Sequence, residues 1–299
     1  MSEKPIPLFV NPVAGRGRAT RKFAELQALL EQNGVATLLT ESNAPGDLEE
    51  IVFSAVEKGA SQIIVAGGDG SVHEAVNGIM RSAHAAALGV VPLGTGNDFA
   101  KACGIPLNWH DAAALLADRI RSEPTQRFVD IGQMNERYFA NGAGIGFDAK
   151  VNHIAKSIHW PIGDLVYLVA VFRAMWDGVI TPELEIRTAD HCHSGPLTLA
   201  NISNGAWVGG IFHIAPMAKN DDGELDLICA APVSRLRILA LLPALMQGSH
   251  IQQPEISHSL IQHCDILARS PVPSHLDGEV QPLQTRFHIE VLQSALQLL

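Results

Sequence analysis

This 299-residue chain has no cysteine pair at C-x-x-C spacing, no apolar run of membrane-spanning length and few positive charges. Its four cysteines, Cys103, Cys192, Cys229 and Cys264, are far apart, which removes dithiol redox and zinc-ribbon motifs and fits reduced thiols in a cytoplasmic protein. Lys and Arg number 21 against 31 Asp and Glu, giving a net charge of −10. No nucleic-acid partner is expected, and an anionic bilayer would attract the chain only through a local patch. The longest membrane-like stretch, residues 165–176, is broken by Arg173 and falls well short of the ~20 residues a bilayer requires. Residues 1–7 hold two prolines and an acid before a short apolar run, so no signal peptide is expected. Two familiar phosphate motifs are missing as well. No G-x-x-x-x-G-K-[ST] occurs and no G-x-G-x-x-G follows the first strand, which excludes a P-loop and a dinucleotide fingerprint.

What the chain does have is 47% hydrophobic and 17% charged residues, enough for well-packed domains, and length for two of them. The first part alternates strands (7–10, 35–40, 62–66, 88–91) with helices (20–32, 47–58, 111–120), a pattern that predicts a parallel α/β sheet. Near residue 130 the character changes to short alternating runs at 137–140, 184–187, 197–202, 225–229, 265–268 and 286–292. That is an all-β signature, interrupted by helices at 163–176 and 235–247. The expected domains are therefore 1–130, α/β, and 131–299, all-β, with the C-terminal residues returning to the first.

The run 63–74 is the most informative stretch: a buried strand breaks into Gly67-Gly68-Asp69-Gly70-Ser71 and then a helix. Glycines admit an anion close to backbone amides, and the following helix aims its own N–H groups at the same place. Ser71 and Glu74 fit a capping box, which would start the helix at Ser71. An aspartate within an anion-attracting turn makes sense if a cation lies between it and the phosphates, so Asp69 is the first functional candidate. The glycine-bearing loops 11–15 and 94–98 also follow strands, placing three loops on the carboxyl edge of the sheet, where α/β proteins bind ligands.

Other segments leave two readings open. Gly142-Ala143-Gly144-Ile145-Gly146 has the wrong spacing for nucleotide binding and is read as a turn or bulge. Leu276-Asp277-Gly278-Glu279 is either a solvated hairpin turn or an acidic site. Residues 219–226 offer oxygens for a hard cation such as Mg²⁺, or form a charged hairpin. The clusters His191-Cys192-His193 and His263-Cys264-Asp265 lack metal-site spacing and are expected to be structural. Arg16, Arg18, Arg21 and Lys22 either attract phosphates or form a solvated helix start. Tyr167, Phe172 and Trp176, with Leu236, Leu239 and Leu242, form either packed core or an interfacial or acyl-chain surface.

Taken in order, the motifs resemble the diacylglycerol kinase catalytic-domain family of bacterial lipid kinases, related to sphingosine and ceramide kinases. They are Asn-Pro-x-x-Gly at 11–15, the Gly-Gly-Asp-Gly-Ser turn with Glu74 and Asn77-Gly78, and the run 92–100 with Gly104-Ile105-Pro106. Val129-Asp130-Ile131-Gly132 and Leu276-Asp277-Gly278-Glu279 complete the set. The resemblance implies an α/β domain like those of phosphofructokinases and NAD kinases, a C-terminal β-sandwich and an active site between them. It implies ATP binding by Asn11, Pro12, Val13, Ala14, Gly15, Thr40, Gly67, Gly68, Asp69, Gly70, Ser71, Val72, His73 and Thr95. Asp69 would help hold catalytic Mg²⁺, Asp130 would be an acid near the site, and Glu279 would be the base on the lipid hydroxyl. Lys219, Asp222 and Glu224 match a second Mg²⁺ site, with backbone carbonyls as ligands at 219 and 224. The family usually has Thr and Asn where this chain has Ser71 and His73; serine keeps the hydroxyl, whereas imidazole differs in size and charge. The implied partners are a lipid substrate, most closely a glycerolipid, and a peripheral membrane contact; a homodimer is a further expectation. A sphingoid-type kinase, an NAD kinase-like enzyme and a non-catalytic lipid- or nucleotide-binding relative stay open as alternatives.

Overall fold

Strand-helix alternation at the start of the chain builds a four-stranded parallel sheet from β1 (Ile6–Val10), β2 (Thr37–Glu41), β3 (Gln62–Gly67) and β4 (Ala87–Pro92), in the order β4-β3-β1-β2. The structure, a computed structural model, describes residues 4–12, 19–122, 126–158 and 165–299. Val13, Ala14, Gly15, Arg16, Arg18, the side chain of Arg21 and Gly163 lie outside the described residues. The connecting helices are α1 (Ala19–Gln32), α2 (Asp47–Glu57), α3 (Asp69–Met80), α4 (Asp98–Ala102) and α5 (Trp109–Ser122). Phe23, Leu26 and Leu30, spaced for one helix face, pack on Leu8, Val10, Ile64 and Ala66 of the sheet. Gly34 ends α1 in the left-handed conformation (φ 82°), where a side chain would be strained.

The chain divides into two compact units: residues 1–129 with 294–299, and residues 130–293. The return of the C-terminus is a strand pairing. Leu298 lies beside Leu88 in parallel register, and the Leu299 N–H donates to the Leu88 carbonyl at 3.1 Å.

The second unit is an antiparallel sandwich. It begins within β5 (Arg127–Met134) and continues through β6 (Arg137–Phe139), β7 (Gly142–Gly146), helices α6 (Phe147–Ser157) and α7 (Leu165–Trp176), and strands β8 (Glu183–Arg187), β9 (Cys192–Pro196), β10 (Leu199–Ser203) and β11 (Leu225–Ala230). Helix α8 (Arg235–Gln247), strands β12 (Ile256–Ile261) and β13 (His263–Leu276), and the start of β14 (Glu279–Leu298) follow. One layer runs β12-β11-β10-β7-β13. In its first half β13 pairs with β8, and after register shifts around Pro271 and Pro273 its last three residues pair with β7. A strand bent by bulges in this way turns the corner between layers. Phe139, Ile145, Ile202, Leu227, Ile266 and Phe287 fill the space between them.

Two expectations are corrected here. The Gly142–Gly146 segment is a strand, not a turn or bulge: it pairs with β10 on one side and β13 on the other. Its Ala143 and Ile145 enter the sandwich core, and the glycines occupy the opposite face, so buried neighbours on both sides impose the extended form despite low intrinsic propensity. The capping box at Ser71 and Glu74 does not form. Helix α3 already starts at Asp69, with extended Gly68 as its cap and the Ser71 and Val72 N–H groups bonded to the Gly68 carbonyl. Glu74 instead accepts the Leu48 N–H at 3.0 Å, capping α2 from 26 residues away, where Gly46 offers no side chain. Replacing Glu74 with Ala is expected to cost about 1 kcal/mol, measurable as a lower denaturation midpoint; an unchanged midpoint would show that the cap is dispensable.

Candidate functional site

In the first unit the carboxyl ends of β1, β3 and β4 bring loops 11–12, 67–71 and 93–98 to one edge of the sheet. Two of the loops touch through glycine. A Cβ on Gly94 would stand 2.5 Å from the Gly68 Cα, and one on Gly67 would stand 2.3 Å from the Ser71 Oγ, so neither position admits a side chain. Asn97, in the left-handed conformation at φ 52°, closes the second loop: its Oδ1 accepts the Gly94 N–H and its Nδ2 donates to the Gly94 carbonyl, both at 3.0 Å. Asp69 links the two loops, because its Oδ1 accepts the Phe99 N–H in the first turn of α4 at 3.2 Å. Asp98 is buried and paired with Lys101. Thr95 is exposed at the loop tip; Asn11, Pro12 and Thr40 are half-buried. The side chains of Ser71, Val72 and His73 are buried. Asn77 donates to the His73 carbonyl at 2.9 Å, and its Nδ2 lies 3.5 Å from the His73 Nε2.

The second unit gathers the remaining candidates around two turns. Asp130, only 1% exposed, clamps the acid-rich turn: its Oδ2 accepts the Gly223 N–H and its N–H donates to the Asn220 carbonyl, each at 2.7 Å. Lys219 and Asp222 are exposed and Glu224 is half-buried, with the Asp222 Oδ1 accepting the Glu224 N–H at 3.1 Å. At the end of this turn burial pushes the Asp226 carboxyl up, against the opposing pull of its 2.6 Å hydrogen bond to His258. Among the described residues no group of three His, Cys, Asp or Glu side chains is arranged to hold a metal, so an ion at 219–224 would depend on main-chain carbonyls.

The second turn joins β13 to β14 through Asp277 and Gly278, both at positive φ (50° and 83°), the two-residue hairpin geometry that Asp-Gly favours. It is more than a solvated hairpin. The Asp277 carboxylate accepts three consecutive N–H groups, those of Ala140, Asn141 and Gly142, at 2.8–2.9 Å. Glu279, next but one, pairs with Lys156 of α6, and both side chains stay partly exposed. The sequence puts Asp277 in a candidate acidic turn and Asn97 in a candidate ligand loop, but shows neither their own hydrogen bonds nor the partner of Asp69. The Asp277 pairing joins residues more than 130 positions apart, which no local pattern announces.

An apolar cavity of about 130 Å³ lies in the same unit between the glycine-bearing sheet face and helices α6, α7 and α8, and it opens to solvent at one end. Val151, Val171, Phe212, Ile238 and Leu242 are among its walls. His250, also lining it, lies 2.9 Å by its Nε2 from the Ile214 carbonyl, and burial pushes its pKa down, so the ring adds no charge at neutral pH. The segments that left core and surface open divide between the two. Tyr167 and Leu242 line the cavity and Leu239 packs against the helix cluster, whereas Phe172, Trp176 and Leu236 are exposed. Among the described residues no helix is long and apolar enough to cross a membrane.

A parallel α/β unit with glycine loops on one edge, joined in sequence to an antiparallel sandwich holding an apolar cavity, defines a class of two-part α/β-plus-sandwich proteins, and comparison with known proteins gives the family. Residues 5–133 match the diacylglycerol kinase catalytic domain, and residues 142–299 match the YegS C-terminal NAD kinase beta sandwich-like domain. A diacylglycerol kinase of Mycobacterium tuberculosis is 32% identical over 268 residues, covering 84% of this chain and 81% of the relative. A Pectobacterium atrosepticum protein called a probable lipid kinase YegS-like is 31% identical over 304 residues, covering 99% and 96%. In fold, the crystal structure of a diacylglycerol kinase from Bacillus anthracis aligns with a TM-score of 0.75 over 98% of this chain and 96% of that one, at 23% identity. The chain belongs to the diacylglycerol kinase catalytic-domain family of lipid kinases.

Removing the Asp277 carboxylate would strand three buried N–H groups at once. Asp277→Ala is expected to destabilise the protein by at least about 3 kcal/mol, read by denaturant unfolding; a loss below about 1 kcal/mol would show that the backbone finds other acceptors.

Proposed function

We propose that this protein transfers the γ-phosphoryl group of ATP, with Mg²⁺, to the free hydroxyl of a diacylglycerol or closely related glycerolipid. The observation that carries the acceptor assignment is that the apolar cavity ends beside the turn bearing Glu279. A Cβ placed on Gly278 would lie 3.6 Å from the Asn152 Oδ1 and 3.7 Å from the Tyr167 hydroxyl, and both residues line the cavity. An acyl chain held in such a cavity would leave its polar head next to the carboxylate.

The nucleotide half rests on the glycine edge. Ser71 and Val72 spend their amides on the Gly68 carbonyl, and with His73 they bury their side chains, which narrows the phosphate-facing part of the turn to residues 68–70. No Cβ stands in the way at Gly68 or Gly70, and the α3 N-terminus supplies positive potential there. The candidate ligands, the Asp69 carboxylate for the catalytic Mg²⁺ and the Asp222 carboxylate with the 219 and 224 carbonyls for a second one, are all hard oxygens of the kind that ion takes. When bound, Mg²⁺ supplies neutralisation of phosphate charge. Glu279 accepts the proton of the lipid hydroxyl as its oxygen bonds to phosphorus and the bond to the ADP oxygen breaks. Lys156 holds that carboxylate in place. Asp130 acts at one remove, by fixing the shape of the 220–224 turn.

The lipid must also leave its bilayer, and helices α7 and α8 carry the means. Trp176 (84% exposed), Leu236 (79%) and Phe172 (50%) project outward beside Arg173 and Arg235, while other residues of the same helices line the cavity. Apolar side chains flanked by arginines suit an anionic lipid surface despite the negative net charge.

Purified protein with labelled ATP, Mg²⁺ and dioctanoylglycerol is expected to yield phosphorylated lipid, and Glu279→Gln to slow this by about 100-fold or more with ATP affinity retained. Full activity in that variant would remove Glu279 as the base, and absence of transfer to any lipid would remove the function. In flotation with anionic vesicles, Trp176→Ala combined with Leu236→Ala is expected to cut the bound fraction about tenfold. Equal flotation of both proteins would show that α7 and α8 do not face the membrane.

A further inference from the structure

Strand β7 places Gly144 between Asn201 of β10 and His275 of β13, directly opposite each, so the three occupy one row on one sheet face. A Cβ on Gly144 would collide with Asp148 of α6, 2.0 Å from its Oδ2, and with the His275 Nε2 at 2.3 Å. Glycine is therefore what allows these two polar groups to converge over the sheet.

Each of the three side chains is tied at one end and unpaired at the other. The His275 Nδ1 accepts the Gly278 N–H at 3.2 Å, which in the neutral ring leaves the proton on Nε2, and Nε2 has no hydrogen-bond partner. The Asn201 Oδ1 takes the Ser203 hydroxyl at 2.6 Å, and its Nδ2 has no partner. The Asp148 Oδ1 takes the Ala149 N–H at 2.8 Å, and its Oδ2 has none. The one near contact among them, Asp148 Oδ2 to His275 Nε2 at 3.5 Å, is too long to satisfy either group. Asn201 and His275 are each 1% exposed, so bulk solvent does not reach them. Buried polar groups are nearly always paired, and two orphans converging over Gly144, with a third opposite it in the same row, call for a common partner.

Asp148 and Asn201 line the apolar cavity, and His275 holds the turn that carries Glu279. We infer that Asp148, Asn201 and His275 form the seat for the acceptor lipid's polar head, and that the seat selects an uncharged glycerol ester. This rests on the lipid-kinase reading above and deepens it. Two donors, Asn201 Nδ2–H and His275 Nε2–H, suit the carbonyl oxygens of an acyl ester. One acceptor, the Asp148 carboxylate, suits a hydroxyl hydrogen. A diester of glycerol offers both, whereas a glycerol diether has the hydroxyl and no carbonyl.

The test compares dioctanoylglycerol with its dioctyl ether analogue, by calorimetric binding without nucleotide and by phosphoryl transfer. Wild-type protein is expected to bind the diester about tenfold more tightly than the diether, the loss anticipated when buried donors go unpaired. Asn201→Leu should weaken the diester about tenfold and leave the diether unchanged. Asp148→Asn should weaken both while the KM for ATP stays within about twofold of wild type. Should Asp148→Asn fail to fold, Asn201→Leu with the two lipids decides alone. Equal binding of diester and diether by wild type, or diester affinity unchanged in Asn201→Leu, would overturn the seat even if lipid phosphorylation is robust. Protein that distinguishes the two lipids yet phosphorylates neither would keep the seat and sink the kinase assignment.

Discussion

Much of the second unit hangs on one carboxylate. Asp277 sits in a left-handed turn at the β13–β14 corner, and by gathering the Ala140, Asn141 and Gly142 amides it fastens the start of β7 to the end of β13. Charge-assisted hydrogen bonds of this kind are roughly twice as strong as neutral ones, and three on one group fix orientation as well as distance. From that attachment the register of β7 against β13 follows, and with it the placement of Gly144 opposite His275. The turn residue after Asp277 bonds the His275 ring, and the next carries the candidate base. The same aspartate thus has a structural reason to precede Gly278 and Glu279, independent of any chemistry at Glu279.

Strand β7 bears the cost of this arrangement. Glycine gives little stabilisation to a strand, and three at alternate positions leave one face without side chains. Ala143 and Ile145 recover apolar burial on the other face. The bare face is what allows α6 to bring Asp148 close to the sheet, and the cavity runs on from there along Leu199, Ile228 and Ala230 of the neighbouring strands. A β7 built from valine and isoleucine would be a better strand and would fill the space.

The difference between what was legible in the sequence and what was not follows from the range of the interactions. Helices α1 and α2, the strands of the parallel sheet and α8 show in periodicity and punctuation because local pattern dictates them. Helix α6 has a weaker signature: Phe147, Val151, Ile154 and Ala155 face inward, but the preceding Gly-rich run obscured its start. Glu74 has the spacing of a capping residue for its own helix and caps another, because α3 already begins at Asp69, two residues before Ser71. At the candidate site, Asp69 and Glu279 were marked by their glycine neighbours, which local motifs preserve. Asn201 and Asp148 carried no such mark. Their significance lies in atoms left unpaired after the strands have been brought together, a property of tertiary structure alone.

Asp130 shows how motif resemblance and geometry weigh differently on the same residue. As an acid in the Val-Asp-Ile-Gly run that carries part of the family resemblance it invites a catalytic role. In the fold its carboxylate is shut from solvent and engaged with the Gly223 amide, while Asn204 donates to its carbonyl at 2.8 Å. A carboxylate so placed does most by setting the conformation of others: Gly223 stands at φ 78°, where a side chain would be strained, and a Cβ there would displace the Gln293 amide, now 2.2 Å from that position. The acid-rich turn is thereby held from both of its sides, by Asp130 through Gly223 N–H and by Gln293 through the Gly223 carbonyl at 3.2 Å. Its exposed carboxylates at Asp221 and Asp222 point outward from a rigid base rather than from a loose loop. Preorganised oxygens lose less freedom on meeting a hard cation than mobile ones, so burying Asp130 and exposing Asp222 would favour the second Mg²⁺ site proposed above.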